Sequence, residues 1–592
     1  MKLIIDILEG RISAAMEAAG GEKNCAAIVR PSTDPKFGDY QANGVMGLAK
    51  RLKSNPRKLA EEVVNNLDLS DICQGPEVAG PGFINLRLKP EFLAGRLLEI
   101  NRHIASLDID KTAEPKTVVV DFSSPNIAKQ MHVGHLRSTI IGDCICRILE
   151  CLGHNVVRQN HIGDWGTQFG MLCALFDRRL LSMSGGVRFV SSGEILGELE
   201  AFYKEAKKLF DSDESFAKTA RAAVAGLHSG EGIWRTHWES IVKYSKRHYE
   251  ETYIKLKVTL ADEDVRGESE YNDDLPEVVA ELKQMGLAVE SDGAVCVFPE
   301  GFKNKEGQPL PFIIQKSDGA YLYATTDLAA LRYRVNELKA DTIIYVTDSR
   351  QKLHFEMLFA VAKMASWVGD DIELSHVMFG SVLGEDGTPL KTRSGENVKL
   401  KELLDEAVER AMSVVEEKNP ELSQDEKETI AKAVGIGAVK YSDYSNNRTS
   451  DYVFSFDKML AMDGNTAPYM QYAYARIKSI ERKAQSKDVD IEDELAGLDA
   501  LSLSEPAELD LAKYLVRYGE ALQAAAADYR PNYLTSYLYE LAQKFSSFYT
   551  NCPVLKAEAD KRPTRLLLCD LTAKTIRHGL SELLGIEVVE QM

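Results

Sequence analysis

The chain has 592 residues, enough for three or four domains. With 44% hydrophobic and 27% charged residues it has the composition of a globular protein, and no run of about 20 apolar residues marks a membrane span. A formal net charge of −19 argues against broad non-specific nucleic-acid binding; any nucleic-acid partner must meet a concentrated local patch, and its binding weakens with salt. The start, Met1-Lys2-Leu3-Ile4-Ile5-Asp6, carries an acid at once and does not read as a signal peptide. Nine cysteines without a spacing pattern predict reduced thiols and a cytoplasmic location. Cys144-Ile145-Cys146 lacks the spacer and second pair of a zinc site, so it reads as small buried hydrophobes in a helix.

In chain order, helical patterns at Leu8 to Ala18 and Pro56 to Leu67 surround Phe37-Gly38-Asp39-Tyr40-Gln41, and a strand-like Phe83 to Leu88 follows. These compose a first unit of residues 1–108. The polar stretch from Asp108 to Lys116, with Pro115, reads as a linker. Thr117-Val118-Val119-Val120 is a β-branched run and predicts a buried strand, followed by a helix from near Leu136 to near Leu152-Gly153. Further strands are predicted at Asn155 to Arg158, Ala294 to Phe298 and Thr342 to Val346. Strands alternating with helices over 113–430 predict a parallel sheet covered on both faces. A charged, helix-favouring block at about 190–260 interrupts that order as an insertion. From 431 to 592 the pattern is helical and rich in Ala, Leu and Tyr. No internal repeat or low-complexity segment stands out.

The most informative stretch lies where the Thr117 strand hands over to its helix. It reads Ser123-Ser124-Pro125-Asn126-Ile127-Ala128-Lys129-Gln130-Met131-His132-Val133-Gly134-His135. A helix N-terminus offers free backbone N–H groups and a positive dipole end to an anion. Gly134 lets a flat ring approach the backbone, and His132 and His135 supply donors to phosphate oxygens. His-x-Gly-His is the signature of enzymes that transfer a nucleotide from ATP. The competing reading is two histidines that do no more than close a helix start.

Asp121-Phe122-Ser123-Ser124-Pro125-Asn126 leading into His132-Val133-Gly134-His135 resembles the first signature of class I aminoacyl-tRNA synthetases, in the wording of the arginyl family. Three further segments agree. They are His161-Ile162-Gly163-Asp164-Trp165-Gly166-Thr167-Gln168-Phe169-Gly170, Ser317-Asp318-Gly319-Ala320-Tyr321-Leu322-Tyr323-Ala324-Thr325-Thr326-Asp327, and Gly464-Asn465-Thr466-Ala467-Pro468-Tyr469-Met470-Gln471-Tyr472. The resemblance runs from Phe37 to Met592. It implies a multidomain α/β protein: a Rossmann-like parallel-sheet catalytic domain, an N-terminal α+β additional domain that binds tRNA, and a C-terminal all-α anticodon-binding bundle. It also implies a monomer.

The activity implied is ATP-dependent formation of arginyl-adenylate, followed by transfer to the terminal adenosine of tRNA(Arg), at the 2′-hydroxyl as in class I. No side-chain nucleophile is needed; the protein positions reactants and stabilises charge. Magnesium accompanies ATP, and no protein metal cage is visible. A planar, permanent cation is matched by carboxylates, which take the guanidinium fork. Asp121 sits at the carboxyl end of its strand, where ligands of open α/β sheets bind, and Tyr323 and Asp327 are one helical turn apart. By resemblance Asn126, Tyr323, Asp327 and Gln351 line the arginine pocket. Asp121 holds a position that is Glu in some relatives, so its contact is shorter or water-bridged. For Asp327 a helix-start carboxylate beside Thr325 and Thr326 is the competing reading.

The second class I signature is a Lys-Met-Ser-Lys loop that meets the ATP phosphates. Here it corresponds to Leu390-Lys391-Thr392-Arg393-Ser394-Gly395, so Lys391 remains and the last lysine is replaced. Lys129 and Arg393 are both candidates to supply the missing cation. Gly387-Thr388-Pro389 reads as a turn. ATP-binding residues are therefore His132, Gly134, His135, Lys391 and Arg393, with Lys129 joining them in catalysis. For tRNA, Tyr469 and Tyr472 are candidate stacking platforms, against a packing role between helices, and Phe37 and Gln41 fall in the N-terminal matched stretch. Glutamyl and glutaminyl enzymes would want a cationic pocket, and the wording of the segments rejects a lysyl enzyme. An inert RNA-binding paralogue should have lost the ATP contacts. A small nucleotidyltransferase would not need 592 residues.

Overall fold

The structure, a computed structural model, describes every residue except 1, 108, 128, 184–198, 231, 392–397 and 487–488. Two units emerge. One joins Met1–Thr112 to Ala461–Leu583 and Glu587–Met592; the other comprises Ala113–Leu460 with Leu584–Ile586.

In the first unit, strands β1 (Val29–Pro31), β2 (Tyr40–Ala42), β3 (Glu77–Ala79) and β4 (Phe83–Leu86) form an antiparallel sheet in the order β1-β2-β4-β3. Helices Ile4–Ala18, Pro56–Asn65 and Pro90–Arg102 accompany it. The second helix starts where it does for a local reason: Asn55 accepts from the backbone N–H groups of Arg57 and Lys58, and Pro56 occupies the position where no donor is needed. Its buried face is Leu59, Ala60 and Val63. Gly38 has φ +90°, and a Cβ there would lie 2.4 Å from the carbonyl oxygen of Leu86, so only glycine fits beside β4.

The helical tail contributes Ala467–Gln485, Pro506–Leu515, Tyr518–Ala527, Pro531–Asn551 and Arg562–Arg577. It joins the first 112 residues through Glu520, whose Oε1 accepts from the backbone N–H of Ile5 at 3.1 Å and from the Tyr40 hydroxyl at 2.6 Å. Lys513 adds an ion pair with Asp39 at 2.9 Å. Burial raises the Glu520 pKa, with the neighbouring Tyr40 hydroxyl and Arg517 pulling it back.

In the second unit, β5 (Thr117–Asp121), β6 (Asn155–Gln159), β10 (Thr342–Tyr345) and β11 (Glu373–His376) form a parallel sheet in the order β11-β10-β5-β6. Between β6 and β10 in sequence lie β7 (Ala288–Ser291), β8 (Ala294–Val297) and β9 (Phe312–Gln315), a separate antiparallel sheet. The crossover helix Val133–Cys151 carries the chain from β5 to β6 on one side, whereas β10 pairs on the other side of β5. That reversal opens a crevice at the carboxyl ends of β5 and β10, where ligands of such sheets bind. Val118, Val119, Val120, Ile343 and Ile344 are buried, which is why these strands read as continuous apolar runs.

The 190–260 block is helical where described, with Leu199–Ser212, Glu214–His228 and Gly232–Leu256 grouped with Thr167–Met183. The expected boundary at 430/431 falls inside the helix Gln424–Tyr444, and the break between units lies at Leu460/Ala461. Gly435 explains why that helix stays with the catalytic unit: a Cβ would lie 2.7 Å from the Ala407 carbonyl oxygen, so two helices meet backbone to backbone. None of the nine cysteines forms a disulfide, and Cys144 and Cys146 are buried in the crossover helix. Among the described residues, no helix is long and apolar enough to cross a membrane.

Candidate active site

The crossover helix begins at Val133, three residues before the Leu136 start expected from sequence, because His132 caps it. Its Nδ1 accepts from the Gly134 N–H at 3.0 Å. The Nδ1 of His135 in turn accepts from the His132 N–H at 3.1 Å. This is a reciprocal capping box built from two imidazoles. A ring nitrogen that accepts a hydrogen bond cannot carry the proton, so each neutral ring bears it on Nε2. Burial lowers the His132 pKa, helped by Lys129 and Arg350. Burial and then His132 bring His135 down to about 4. Both rings are neutral Nε2–H donors at neutral pH, with centroids 4.1 Å apart. Capping and ligand binding are thus compatible, since Nδ1 serves the backbone and the cap does not use Nε2. A Cβ on Gly134 would lie 2.7 Å from Cε1 of His132, so the capping ring itself requires glycine.

The motif is also tied to the chain just beyond residues 392–397. Val133 donates to the Val398 carbonyl at 2.9 Å, and Leu400 donates to the Met131 carbonyl at 3.0 Å. Lys391, at the near edge of that segment, is exposed. Arg393 lies outside the described residues. The turn at Gly387 forms, with φ +73° and the Asp386 carboxylate accepting from the Thr388 N–H at 3.0 Å. Lys129 is exposed, its Nζ 4.7 Å from the Tyr203 ring centroid.

Asp327 accepts from or pairs with Nε2 of His354 at 2.6 Å through one carboxylate oxygen. The Tyr323 ring packs 5.1 Å from the same His354 ring and is 64% exposed. Gln351 ends the short turn that leads into the helix Lys352–Met364, which carries His354. Glu268 joins this group: burial, then Asp327 and Asp164, push its carboxyl up to about 8. Its backbone N–H donates to the Ile162 carbonyl at 3.0 Å, and the next residue, Gly163, bridges to Asn126. Asp327, His354 and Tyr323 are thus in direct contact, and the Asp327 charge is felt at Glu268.

Asp121 has partners inside the protein. Its Oδ2 accepts from Nη2 of Arg334 at 2.7 Å, and its Oδ1 accepts from the Ser124 hydroxyl at 2.8 Å. Arg334 is buried over the Tyr345 ring, and Asp121 and Tyr345 raise its pKa against the lowering effect of burial, so it stays charged. Asp121 is consequently engaged by an internal guanidinium and fastens β5 to the helix Tyr323–Asn336. Sequence reasoning did not find Arg334, Glu268 or His354.

Among the RNA candidates, Tyr472 is 40% exposed. Tyr469 is partly buried, edge-on to Tyr539 at 5.7 Å. Phe37 is 37% exposed beneath the Lys36 ammonium. The Gln41 side chain donates to Asn85 Oδ1 across the sheet at 2.8 Å.

A parallel sheet whose first crossover begins in the His-x-Gly-His cap defines the catalytic domain of a class I aminoacyl-tRNA synthetase, and the family description "tRNA synthetases class I (R), catalytic domain" matches residues 100–456. An arginyl tRNA synthetase N terminal domain matches 6–88 and a DALR anticodon binding domain 470–592. Arginine–tRNA ligases of Synechococcus sp. and Chromobacterium violaceum are 51% and 50% identical, the first alignment covering 99% and the second 100% of each chain. Solved structures of arginyl-tRNA synthetase from Plasmodium falciparum and Thermus thermophilus superimpose with TM-scores of 0.84 and 0.81, at 31% and 26% identity over 100% of each chain. The chain belongs to the arginyl-tRNA synthetase family.

Proposed function

We propose that the crevice above β5 and β10 activates arginine and that His132 and His135 are its transition-state donors. The chain is an arginine–tRNA ligase that uses ATP to charge tRNA with arginine. The observation that carries the residue assignment is the tautomer of the two histidines: capping through Nδ1 leaves two neutral Nε2–H groups at a helix N-terminus. In-line attack of the arginine carboxylate on the α-phosphorus puts charge on the transferring phosphate, and preorganised donors stabilise it best. Gly134 allows the nucleotide close to the backbone. Lys391, Lys129 and Arg393 are the cations for the pyrophosphate, and ATP brings magnesium with it. Asp327, oriented by His354, takes the guanidinium, with Tyr323, Asn126 and Gln351 around it. Asp121 acts one step back, by holding the helix that carries Tyr323 and Asp327. The enzyme works in the cytoplasm as a monomer.

The test is charging of bulk tRNA with each of the twenty amino acids. Arginine alone should be attached. ATP–pyrophosphate exchange should be absent with arginine and ATP alone and appear when tRNA is added. Robust exchange without tRNA, or charging with another amino acid, would overturn the reading.

Phe37, Gln41, Tyr469 and Tyr472 are proposed for tRNA. The two tyrosines should behave differently. Tyr472→Ala should remove a stacking contact worth about 1–3 kcal/mol per base, seen as a raised KM for tRNA at unchanged KM for arginine and ATP. Tyr469→Ala, which opens space beside Tyr539, should instead lower the melting temperature. A Tyr472 variant with normal KM for tRNA would move anticodon stacking elsewhere.

A further inference from the structure

Two successive non-glycine residues after β5, Ser123 (φ +66°) and Ser124 (φ +43°), occupy the left-handed region. Side chains with a Cβ rarely adopt it, and a pair persists only where surrounding groups over-determine it. Those groups are present. The Ser123 N–H donates to the Ser138 hydroxyl at 2.9 Å, and the Ser124 N–H donates to Asn160 Oδ1 at 3.0 Å. The Ser124 hydroxyl accepts from the His161 N–H at 3.0 Å.

The remaining bonds have one consistent direction. Thr139 Oγ1 donates to the His135 carbonyl at 2.7 Å, so toward Ser123 it accepts. The Ser123 hydroxyl therefore donates to Thr139 at 2.8 Å and accepts from the Tyr253 hydroxyl at 2.7 Å. The Tyr253 oxygen accepts from Asn160 Nδ2 at 3.1 Å. An unbroken chain runs from Asn160 through Tyr253, Ser123 and Thr139 to the carbonyl of His135. Such chains polarise one another, and losing one member loosens the rest. Tyr253 is buried, and it comes from Gly232–Leu256, the closing helix of the insertion.

We propose that Tyr253 is a positioning residue for nucleotide transfer: its hydroxyl holds the Ser123–Ser124 turn and, through Ser123 and Thr139, the first turn of the helix that presents His132 and His135. The inference rests on the histidine reading above. It gives the insertion a task, since its last helix is part of the active-site scaffold.

Tyr253→Phe removes only the hydroxyl. Single-turnover adenylate formation, with tRNA present, should slow about 10- to 100-fold, the scale of a misplacement near 1 Å. KM for tRNA and the melting temperature should change little, which separates positioning from a general loss of stability. The second arm is a cycle with Ser123→Gly, because glycine adopts positive φ without strain and offers no oxygen to the phenol. In that background Tyr253→Phe should cost less than about threefold. If Ser123→Gly does not fold, Thr139→Val breaks the same chain one link on and takes its place with the same expectation. A near-normal rate for Tyr253→Phe, or an equal loss in both backgrounds, overturns the proposal. His135→Ala measured alongside keeps the two readings apart: a near-normal rate there defeats the histidine assignment itself.

Discussion

His135→Ala lowers kcat by about 100- to 1000-fold with little change in KM for ATP, the size of losing one preorganised donor to developing charge. The ring does two jobs, so the variant also loses the cap on the His132 N–H, which is worth about 0.5–2 kcal/mol of stability. His135→Asn separates them. Its side-chain oxygen replaces Nδ1 as acceptor for the cap, whereas its amide N–H2 group falls short of the position of Nε2–H. The melting temperature should recover in His135→Asn while kcat stays low. Recovery of turnover together with the cap would show that the ring serves the helix start alone.

The lowered pKa of His135 has consequences for pH. Its folded value of about 4 lies below the ordinary histidine value near 6.5, so the unfolded chain binds the proton more readily. This group therefore contributes stability above pH ~6.5, and that stability falls as pH drops toward 4. Protonation of Nδ1 also breaks the cap. Ordinary histidine titration near 6.5 should accordingly be absent from the acid limb of kcat, and ring NMR should place the transition of His135 well below it.

The parts legible in the sequence are those with local causes. Thr117–Val120, Asn155–Arg158 and Thr342–Val346 read as strands because a parallel strand covered on both faces is a continuous β-branched run. β11, with Glu373 exposed and Leu374, Ser375 and His376 partly so, lies at the sheet edge and carries no such run. The helix starts three residues before the apolar pattern at Leu136 because histidine is an unusual cap, and only its ring geometry reveals the box. Asp121 was legible as a carboxylate at a strand end, but its partner Arg334 is 213 residues away. Tyr253 lies 130 residues from Ser123. Glu268 sits in Gly267-Glu268-Ser269, a stretch without apolar period, and its raised pKa exists only because folding buries it and brings it near Asp327 and Asp164.

Asp327→Ala raises KM for arginine by several hundredfold or more and leaves KM for ATP unchanged. Stripping one member from a desolvated charge pair costs about 3–5 kcal/mol, and each 1.4 kcal/mol is tenfold. Two neighbours complicate a simple deletion. His354 loses its 2.6 Å partner, so the alanine variant also disturbs the ring against which Tyr323 packs. Asp327→Asn retains an acceptor for His354 and removes only the charge; KM for arginine should still rise steeply if charge is what recognises the guanidinium. The other neighbour is Glu268. Asp327 is the largest electrostatic contributor, after burial, to a Glu268 pKa of about 8, so removing the charge makes Glu268 easier to ionise. A newly ionised Glu268 would offer the guanidinium a second carboxylate and mask part of the loss. Lowering the assay pH protonates Glu268 and isolates Asp327, so the defect should grow toward acid pH and shrink as pH rises. Citrulline, the neutral isostere of arginine, supplies the last control. The wild-type preference for arginine over citrulline should narrow sharply in Asp327→Asn at acid pH. An unchanged KM for arginine, with that preference intact, would sink the assignment and return Asp327 to the role of a helix-start carboxylate paired with His354.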